Sequence, residues 1–387
     1  MASTPTLALN IHAGFECRHS GACCTAGWPI PVEAAVADAI RARGVLPRMA
    51  LSTAGQLPDG AAAILAPLPD GGCPALDRAG GSLCTVQRRL GHNGLPASCR
   101  HFPRVALLEA DATRVTLSHF CPTAAWMLFR TGVSRLDVVP DAAGIADRDE
   151  HDGYDAKHTI APLLRPGIAT DPGTCRTWER YLIGTLDSNT LTAEDALARI
   201  AFTTETIRGW TAGRTTLEDH AARAIAAAAW PQGPAGRWDM PGRSALRLFS
   251  TTAASVPQGL MRPEVPRDVD DADRAWVSRR WAAHAGAVRR YLAARAFGAW
   301  SAYLGEGLRT QVAMLAIALA AVRVESAREA ALASRPLDEP LLHAAIRSAD
   351  LLLHHLSDTA VLVRSLAGVE RGPTRAFLNA LGLETAG

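Results

Sequence analysis

The sequence has little of what a nucleic-acid-binding or membrane-spanning protein needs. Its formal net charge is only +2, which argues against a nucleic-acid partner, and Lys157 is its single lysine. The longest uncharged apolar run, Val312–Val322, has eleven residues. That is too few to cross a bilayer and predicts a buried helix instead. Residues 1–15 lack the basic and apolar regions of a secretory signal. We therefore expect a cytoplasmic protein with no membrane partner.

The familiar short motifs of enzymes and metal modules are also missing. No two cysteines have the C-x2-C spacing of zinc fingers and ribbons. No G-x-S-x-G, H-E-x-x-H or P-loop pattern occurs either. Apolar residues make up 48% and charged residues 20% of the 387-residue chain, which is ordinary for a globular protein long enough for two domains. The cysteines are therefore the main lead to function.

Cysteine is abundant, and nearly all of it lies in one third of the chain. The candidate metal ligands are Cys17, Cys23, Cys24, Cys73, Cys84, Cys99, Cys121 and Cys175. Disulfides, a metal or iron–sulfur site, and buried apolar thiols are the three explanations. A reducing cytoplasm disfavours disulfides, free cysteine is often buried, and soft thiolates select zinc, Cu(I) or iron–sulfur clusters. The clustering favours a metal, whereas burial and ligation stay equally open for the isolated Cys175.

The adjacent Cys23 and Cys24 bear on the kind of metal site. Neighbouring side chains point different ways along most backbones, so this pair suits two metal atoms of a cluster better than one tetrahedral ion. Four cysteines suffice for one [4Fe–4S] cluster. The remaining cysteines then fill a second site or surround the first.

The rest of the pattern predicts a mainly α protein in three parts. Residues 1–130 form an irregular, cysteine-bearing metal-binding domain, residues 131–172 a connector, and residues 173–387 an α-helical domain. In the first part we expect helices over Pro31–Arg43 and Leu83–Leu90, a loop over Gly55–Gly72, a short β-hairpin from Val105–Leu108 and Arg114–Ser118, and a helix opening at Pro122. Thr192 is typical of a helix N-cap. Further helices are predicted over 216–230, 243–254, 270–304, 306–334, 338–356 and 358–368.

Seven side chains near the cysteines are candidates for supporting roles, and each has an ordinary structural alternative. They are His19, His92, His101, His119, Arg100, Arg104 and Trp28. The histidines suit ligands or general bases, the arginines suit the negative charge of thiolates, and the tryptophan suits a wall against solvent. His101 and His119 are the stronger candidates because each lies two residues from a cysteine. Adjacent helical residues do not share a face, so we expect no joint metal site at His354 and His355.

Four blocks of the first third share one pattern around the cysteines. They are Phe15–Cys17 with Cys23–Ile30, Cys73–Leu76 with Leu83–Gly91, Cys99–Arg104, and Leu117–Ala125. In this order the blocks resemble flagellin lysine-N-methylase proteins, and they are similar to a broader cysteine-cluster group of zinc- or iron-chelating proteins. The resemblance covers about residues 15–130, while Tyr291–Phe297 resembles the helical C-terminal part of the family only loosely.

The resemblance implies an activity, a metal and a partner. The activity is methyl transfer from S-adenosylmethionine (SAM) to lysine side chains of a protein substrate such as flagellin. The metal is an iron–sulfur cluster, with [4Fe–4S] favoured over zinc. The chain itself lacks a strand–G-x-G–helix segment for SAM, since Gly305-Glu-Gly307 has no preceding strand. The alternative is a non-catalytic zinc- or iron-chelating module in which the metal fixes the fold, so enzymatic activity stays open here.

Overall fold

The structure is a computed structural model that describes residues 4–54, 57–79, 83–130, 132–133, 135–142, 145, 153–228, 238–260, 263–370 and 374–385. More than half of the chain is helical and the sheets are small, so the fold class is mainly α, as the sequence predicts.

The helices and strands of the described residues are as follows. The helices are α1 Ala34–Ala42, α2 Thr85–Leu90, α3 Ala97–His101, α4 Pro122–Met127, α5 Pro172–Asp187, α6 Ala193–Arg208, α7 Leu217–Ala227, α8 Gly242–Ala254, α9 Val269–Ala272, α10 Ser278–Trp281, α11 Ala285–Ala296, α12 Leu308–Ala333, α13 Glu339–Asp350, α14 Thr359–Glu370 and α15 Thr374–Ala380. The strands are β1 Thr6–Leu9, β2 Ile30–Glu33, β3 Leu51–Ser52, β4 Ala61–Leu65, β5 Leu76–Asp77, β6 Leu83–Cys84, β7 Arg104–Leu108, β8 Thr113–Leu117, β9 Val138–Pro140, β10 Gly153–Asp155, β11 Leu163–Arg165, β12 Ile168–Ala169, β13 Trp238–Asp239 and β14 Glu384–Thr385.

A five-stranded sheet joins the first third of the chain to the segment 131–172. Its strand order is β10–β7–β8–β1–β9. Strands β7 and β8 form the predicted antiparallel hairpin, with Arg104 opposite Leu117 and Leu108 opposite Thr113. The edge strands β9 and β10 come from the segment that the sequence indicates as a connector. That segment is therefore partly built into the sheet.

The cysteine-bearing part has a hydrophobic core of its own. Its small sheet, in the order β2–β4–β3, packs against helix α1. Val32, Ile40 and Leu65 are buried in this core together with Cys24 and Cys73. The cysteines are thus part of the packing of this unit and are held in place by it.

Three local predictions in this unit need correction. The helix predicted over Pro31–Arg43 begins only at Ala34, because Ile30–Glu33 pairs with β4 as a strand. The region 55–72, predicted as loop, contains strand β4, although residues 55–56 lie outside the described residues. The helix predicted from Leu83 begins at Thr85, after the two residues of β6. In each case pairing with another strand overrides the local pattern.

Helix α12 is the centre of the helical part, and α6, α8, α11 and α13 pack around it. All of its residues from Leu308 to Ala327 are buried. Among the described residues it is the one helix long and apolar enough to cross a bilayer, and its apolar window lies wholly inside the protein. Arg323 on this helix is paired within the core, since its Nη2 lies 2.9 Å from Asp273 Oδ2.

The other predicted helices agree with the structure except where turns interrupt them. Thr192 caps α6, because its hydroxyl accepts the backbone N–H of Asp195 at 3.0 Å. The helix predicted over 216–230 is α7, with residues 229–230 outside the described part. The stretch 270–304 is divided into α9, a π-helical turn at Asp273–Val277, α10 and α11. A second π-helical turn, Leu351–Leu356, continues α13, and such turns occur often at functional sites.

Candidate metal centre and adjoining cavity

Five of the eight predicted ligands meet in one pocket. A cavity of about 30 Å³ is lined by Cys23, Cys24, Cys73, Cys84 and Cys99. These cysteines come from a turn at Ala22–Thr25, the loop before β5, strand β6 and helix α3. The pairing of β5 with β6 sets Leu76 opposite Cys84, and the Cys73 N–H donates to the Cys24 carbonyl oxygen at 2.7 Å. Backbone contacts therefore bring the separate segments together. We call this site the thiol pocket.

Cys24 is the central residue of the thiol pocket. Its thiol makes side-chain hydrogen bonds with Cys23, Cys73 and Cys84. These contacts raise the pKa of Cys24 and lower the pKa of Cys23 and of Cys73. The pKa of Cys84 falls to about 6, first through its bond to Cys24 and also through backbone N–H groups of helix α2. Three of the thiols are thus biased toward the thiolate form, which is the form that binds metals.

Four of the five thiols contact one another through Cys24. Over the part of the chain that the structure describes, no group of three or more Cys, His, Asp or Glu side chains is set around one ion position. The space of about 30 Å³ between the thiols suits a single ion, and a four-iron cluster requires them to move apart. Burial raises the pKa of Cys99, the fifth thiol that lines the pocket. The thiol pocket is therefore a concentrated set of soft donors.

The other three predicted ligands lie outside the thiol pocket. Cys17 is exposed, and its Sγ accepts the backbone N–H of His19 at 3.4 Å. Cys121 is buried at the start of α4, and burial raises its pKa. Cys175 lies on α5 with its Sγ 2.8 Å from Thr170 Oγ1, and burial raises its pKa to about 11. None of the eight cysteines forms a disulfide.

A much larger cavity adjoins the thiol pocket. It has a volume of about 480 Å³ and shares Trp28, Ser98 and Phe102 with that pocket. On its other side the helical part contributes Trp300 and His355. The cavity therefore lies between the cysteine-bearing part and the helices, next to the thiols. We call it the large cavity.

Aromatic rings hold His355 in the wall of the large cavity. The indole of Trp28 stacks on the imidazole, with ring centroids 4.4 Å apart and planes 27° from parallel. Phe102 and Phe120 lie 6.0 and 6.4 Å from the same ring. Burial lowers the pKa of His355 to about 4, so its imidazole is neutral at neutral pH.

A buried polar network lies behind this wall. The Ser118 hydroxyl donates to Asp350 Oδ2 at 2.8 Å and also lies 2.8 Å from His355 Nε2. Asp350 is completely buried, and it accepts the Phe120 N–H at 3.2 Å and the Tyr291 hydroxyl at 3.1 Å. The network thus connects the cavity wall to a carboxylate in the protein core.

The histidines and arginines proposed from sequence have mostly structural surroundings. His119 is completely buried, and its Nε2 lies 3.2 Å from His12 Nε2. Burial lowers its pKa to about 3. His101 is buried at the end of α3. Neither His101 nor His119 is among the described residues that line the thiol pocket or the large cavity.

Arg100, Arg104 and His92 lie in three different surroundings. Arg100 donates from Nη1 to the Leu95 carbonyl oxygen at 2.7 Å, which fixes the turn before α3. Arg104 lines the large cavity, with its guanidinium 5.5 Å from the ring centroid of Phe15. His92 is exposed and begins a short 3-10 turn. Of these three, only Arg104 reaches one of the two cavities.

Sequence reasoning missed Ser118, Asp350 and His355 as functional candidates. It set His354 and His355 aside because adjacent helical residues do not share a face. His354 Nε2 lies 3.6 Å from Asp350 Oδ1 at the ordinary i,i+4 helical spacing, whereas His355, in the π-helical turn, meets Ser118. No local pattern marks this turn. The one indication in the sequence is that Ser118 lies inside Leu117–Ala125, one of the blocks that carry the family resemblance.

Comparison of the chain with protein-family models, with curated proteins and with solved structures finds no significant match. The resemblance to flagellin lysine-N-methylases therefore stays a prediction, and the arguments for function rest on the thiol pocket and the large cavity.

Proposed function

We propose that the thiol pocket binds a metal centre, and that the large cavity beside it binds the substrates of a SAM-dependent protein-lysine methylation. One observation carries this proposal. Five cysteine side chains from four segments of the chain line one small pocket, and the walls of that pocket continue into a cavity of about 480 Å³.

The donor set supports a soft metal. Thiolates select zinc, Cu(I) and iron–sulfur clusters over hard cations. The lowered pKa values of Cys23, Cys73 and Cys84 reduce the free energy needed to deprotonate these ligands. Five thiols exceed the four that one [4Fe–4S] cluster or one zinc ion takes. The space of about 30 Å³ suits a single ion as it stands, and we favour an iron–sulfur cluster only because the family resemblance implies one, which would require the thiols to move apart. When bound, one of its irons would supply a site for redox or Lewis-acid chemistry.

The size and position of the large cavity support an enzyme over a purely structural metal site. Small-molecule sites in proteins usually enclose roughly 300–1,000 Å³, and the volume of about 480 Å³ is within that range. A metal that only fixes the fold has no need of such a cavity beside it. Trp28 and Phe102 line both spaces, so a ligand in the cavity would lie against the wall of the metal site.

A second candidate function is a non-catalytic metal module. The cysteine-bearing part has a separate hydrophobic core, and its strands β2 to β6 have only two to five residues each. Such short elements bury little surface, so a bound metal would supply much of the folding free energy. In that case the helices would bind a partner, and the large cavity would have no ligand.

Calorimetry with SAM separates the two functions, using protein purified without oxygen. The enzyme predicts saturable binding by the wild-type protein and at least tenfold weaker binding by Trp28→Ala, which removes a ring from the cavity wall. Trp126→Ala is the matched control, because Trp126 is 44% exposed on α4 and lies outside the lining of the large cavity. Mass spectrometry of flagellin incubated with protein and SAM then tests for methylated lysine. No measurable heat of SAM binding to the wild-type protein would contradict the enzyme and favour the metal module.

A further inference from the structure

His355 offers one nitrogen to the large cavity. The ring is fixed from one side by the stacked Trp28 and from the other by Ser118, whose hydroxyl oxygen lies 2.8 Å from Nε2. No hydrogen bond from another described residue reaches Nδ1, and Nδ1 is not sealed in the core. The large cavity is the open space that His355 lines.

The hydrogen bonds of Ser118 determine which nitrogen of His355 carries the proton. The Ser118 hydroxyl donates its single proton to Asp350 Oδ2, at 2.8 Å. The Ser118 oxygen can then only accept from His355, which requires an N–H at Nε2. A neutral imidazole has one N–H. Its Nδ1 therefore carries a bare lone pair, and its tautomer is set by the carboxylate two hydrogen bonds away.

Charged groups of both signs lie around His355. The described residues that line the large cavity include no aspartate or glutamate, whereas Arg104 is among them. Asp350 and Arg295 are the charged groups that act on His355, and His354 lines the same cavity. An amine in the large cavity could donate an N–H to the bare nitrogen.

We propose that His355 accepts a hydrogen bond at Nδ1 from the amine substrate. This inference rests on the proposed function, because it takes the large cavity as the site of the acceptor amine. Ser118 and Asp350 act as positioning residues, since they hold the Nε2–H tautomer without touching the substrate.

The proton and electron balance of methyl transfer gives this contact a catalytic consequence. The lone pair of the neutral amine forms the N–CH3 bond, the S–CH3 bond of the sulfonium donor breaks, and its electron pair leaves on a neutral thioether sulfur. The nitrogen becomes positively charged, so its N–H turns into a stronger donor toward Nδ1. The hydrogen bond to His355 is therefore stronger in the transition state than in the ground state. The methylated ammonium keeps its proton as it leaves the site, because burial lowers the pKa of His355 to about 4.

Nitrogen NMR of histidine-labelled holoprotein tests the tautomer and the binding together, with n-butylamine as the probe. We expect the Nε2–H tautomer for His355 at pH 7 and a shift of its Nδ1 signal on adding n-butylamine.

Two variants distinguish the role of Nδ1 from that of the ring as a whole. His355→Asn keeps an amide oxygen near the position of Nδ1 and should bind n-butylamine within about threefold of wild type. His355→Gln places its amide near Nε2 instead and should bind at least tenfold more weakly. A protonated Nδ1 in the wild-type protein, or equal binding by His355→Gln and wild type, would overturn the inference.

The two proposals can fail separately. Methyl transfer by the wild-type protein together with an unperturbed His355 signal would refute this inference and leave the proposed function standing. Binding of n-butylamine at Nδ1 without any transfer from SAM would support the inference and refute methylation as the activity.

Discussion

Replacing Asp350 with asparagine tests the buried network that connects the large cavity to the core. The carboxylate is completely buried and accepts from Ser118, Phe120 and Tyr291 at 2.8, 3.2 and 3.1 Å. Arg295 Nη1 lies 3.9 Å from its Oδ1. The asparagine side chain has nearly the same shape, so the substitution changes charge and hydrogen bonding with little change in packing.

The expected loss of stability follows from the donors around the new side chain. If the amide nitrogen takes the place of Oδ2, it faces the donors of Ser118 and Phe120. If it takes the place of Oδ1, it faces the hydroxyl of Tyr291. Either orientation leaves at least one buried donor without an acceptor, at about 1–3 kcal/mol each, and it removes the negative charge near Arg295. Breaking a buried charge pair from one side costs about 3–5 kcal/mol, and we expect Asp350→Asn to lower the free energy of unfolding by a similar amount.

Urea unfolding followed by tryptophan fluorescence measures this loss. The matched control is Asp38→Asn on the surface helix α1, where Asp38 is 76% exposed and pairs with Arg41 at 3.2 Å. Exposed pairs contribute little, so the control should stay within about 0.5 kcal/mol of wild type. A loss below about 1 kcal/mol for Asp350→Asn would show that the network is not assembled around this carboxylate.

Three further predictions concern acid stability, metal binding and a helix end. Burial lowers the pKa of His12 to about 3 and that of His355 to about 4. Between about pH 4 and 6.5 only the unfolded chain therefore takes up protons on these two histidines. Each of them should lower the free energy of unfolding by about 1.4 kcal/mol for every unit by which the pH is lowered in this range. Urea midpoints at pH 7 and 5 should therefore differ less for His12→Gln than for wild type. An equal difference would contradict the lowered pKa of His12. Cys24→Ser should lower the metal content of purified protein at least tenfold by elemental analysis, since even the loss of a group that supports a ligand lowers metal affinity about 10–100-fold. Cys175→Ser, outside the thiol pocket, should have the metal content of wild type. Thr192→Ala removes the N-cap of α6 and should lower the free energy of urea unfolding by about 1 kcal/mol; no loss would mean that the cap is not formed.

The helices could be predicted because their signals are local. The cap at Thr192, the prolines between helices and the apolar spacing are all readable within a few residues, and the hairpin of β7 and β8 is equally local. Strand β2 was missed because Ile30–Glu33 takes its partner from β4, about thirty residues further along the chain. The π-helical turn at Leu351–Leu356 was missed because its sequence also suits an ordinary helix.

The sequence predicted a site built from cysteines, but it did not predict which of the cysteines form it. The clustering of cysteines marks the first third of the chain as chemically special, yet residue type alone cannot tell the five that meet from Cys17, Cys121 and Cys175. The choice depends on long-range contacts such as the pairing of β5 with β6 and the hydrogen bond from Cys73 to Cys24. The contact between Ser118 and Asp350 also joins distant parts of the chain. No spacing rule anticipates such contacts.

Elemental analysis of protein purified without oxygen tests the central claim, that the thiol pocket binds a metal. Iron, acid-labile sulfide and zinc are measured together with the absorption spectrum and a titration of free thiols. We expect iron with matching sulfide, and thiols that become fully reactive only after the metal is removed. Stoichiometric zinc without iron would keep the metal centre and favour the structural module over the methylase. Protein that holds neither metal, with all eight cysteines freely reactive, would contradict the claim.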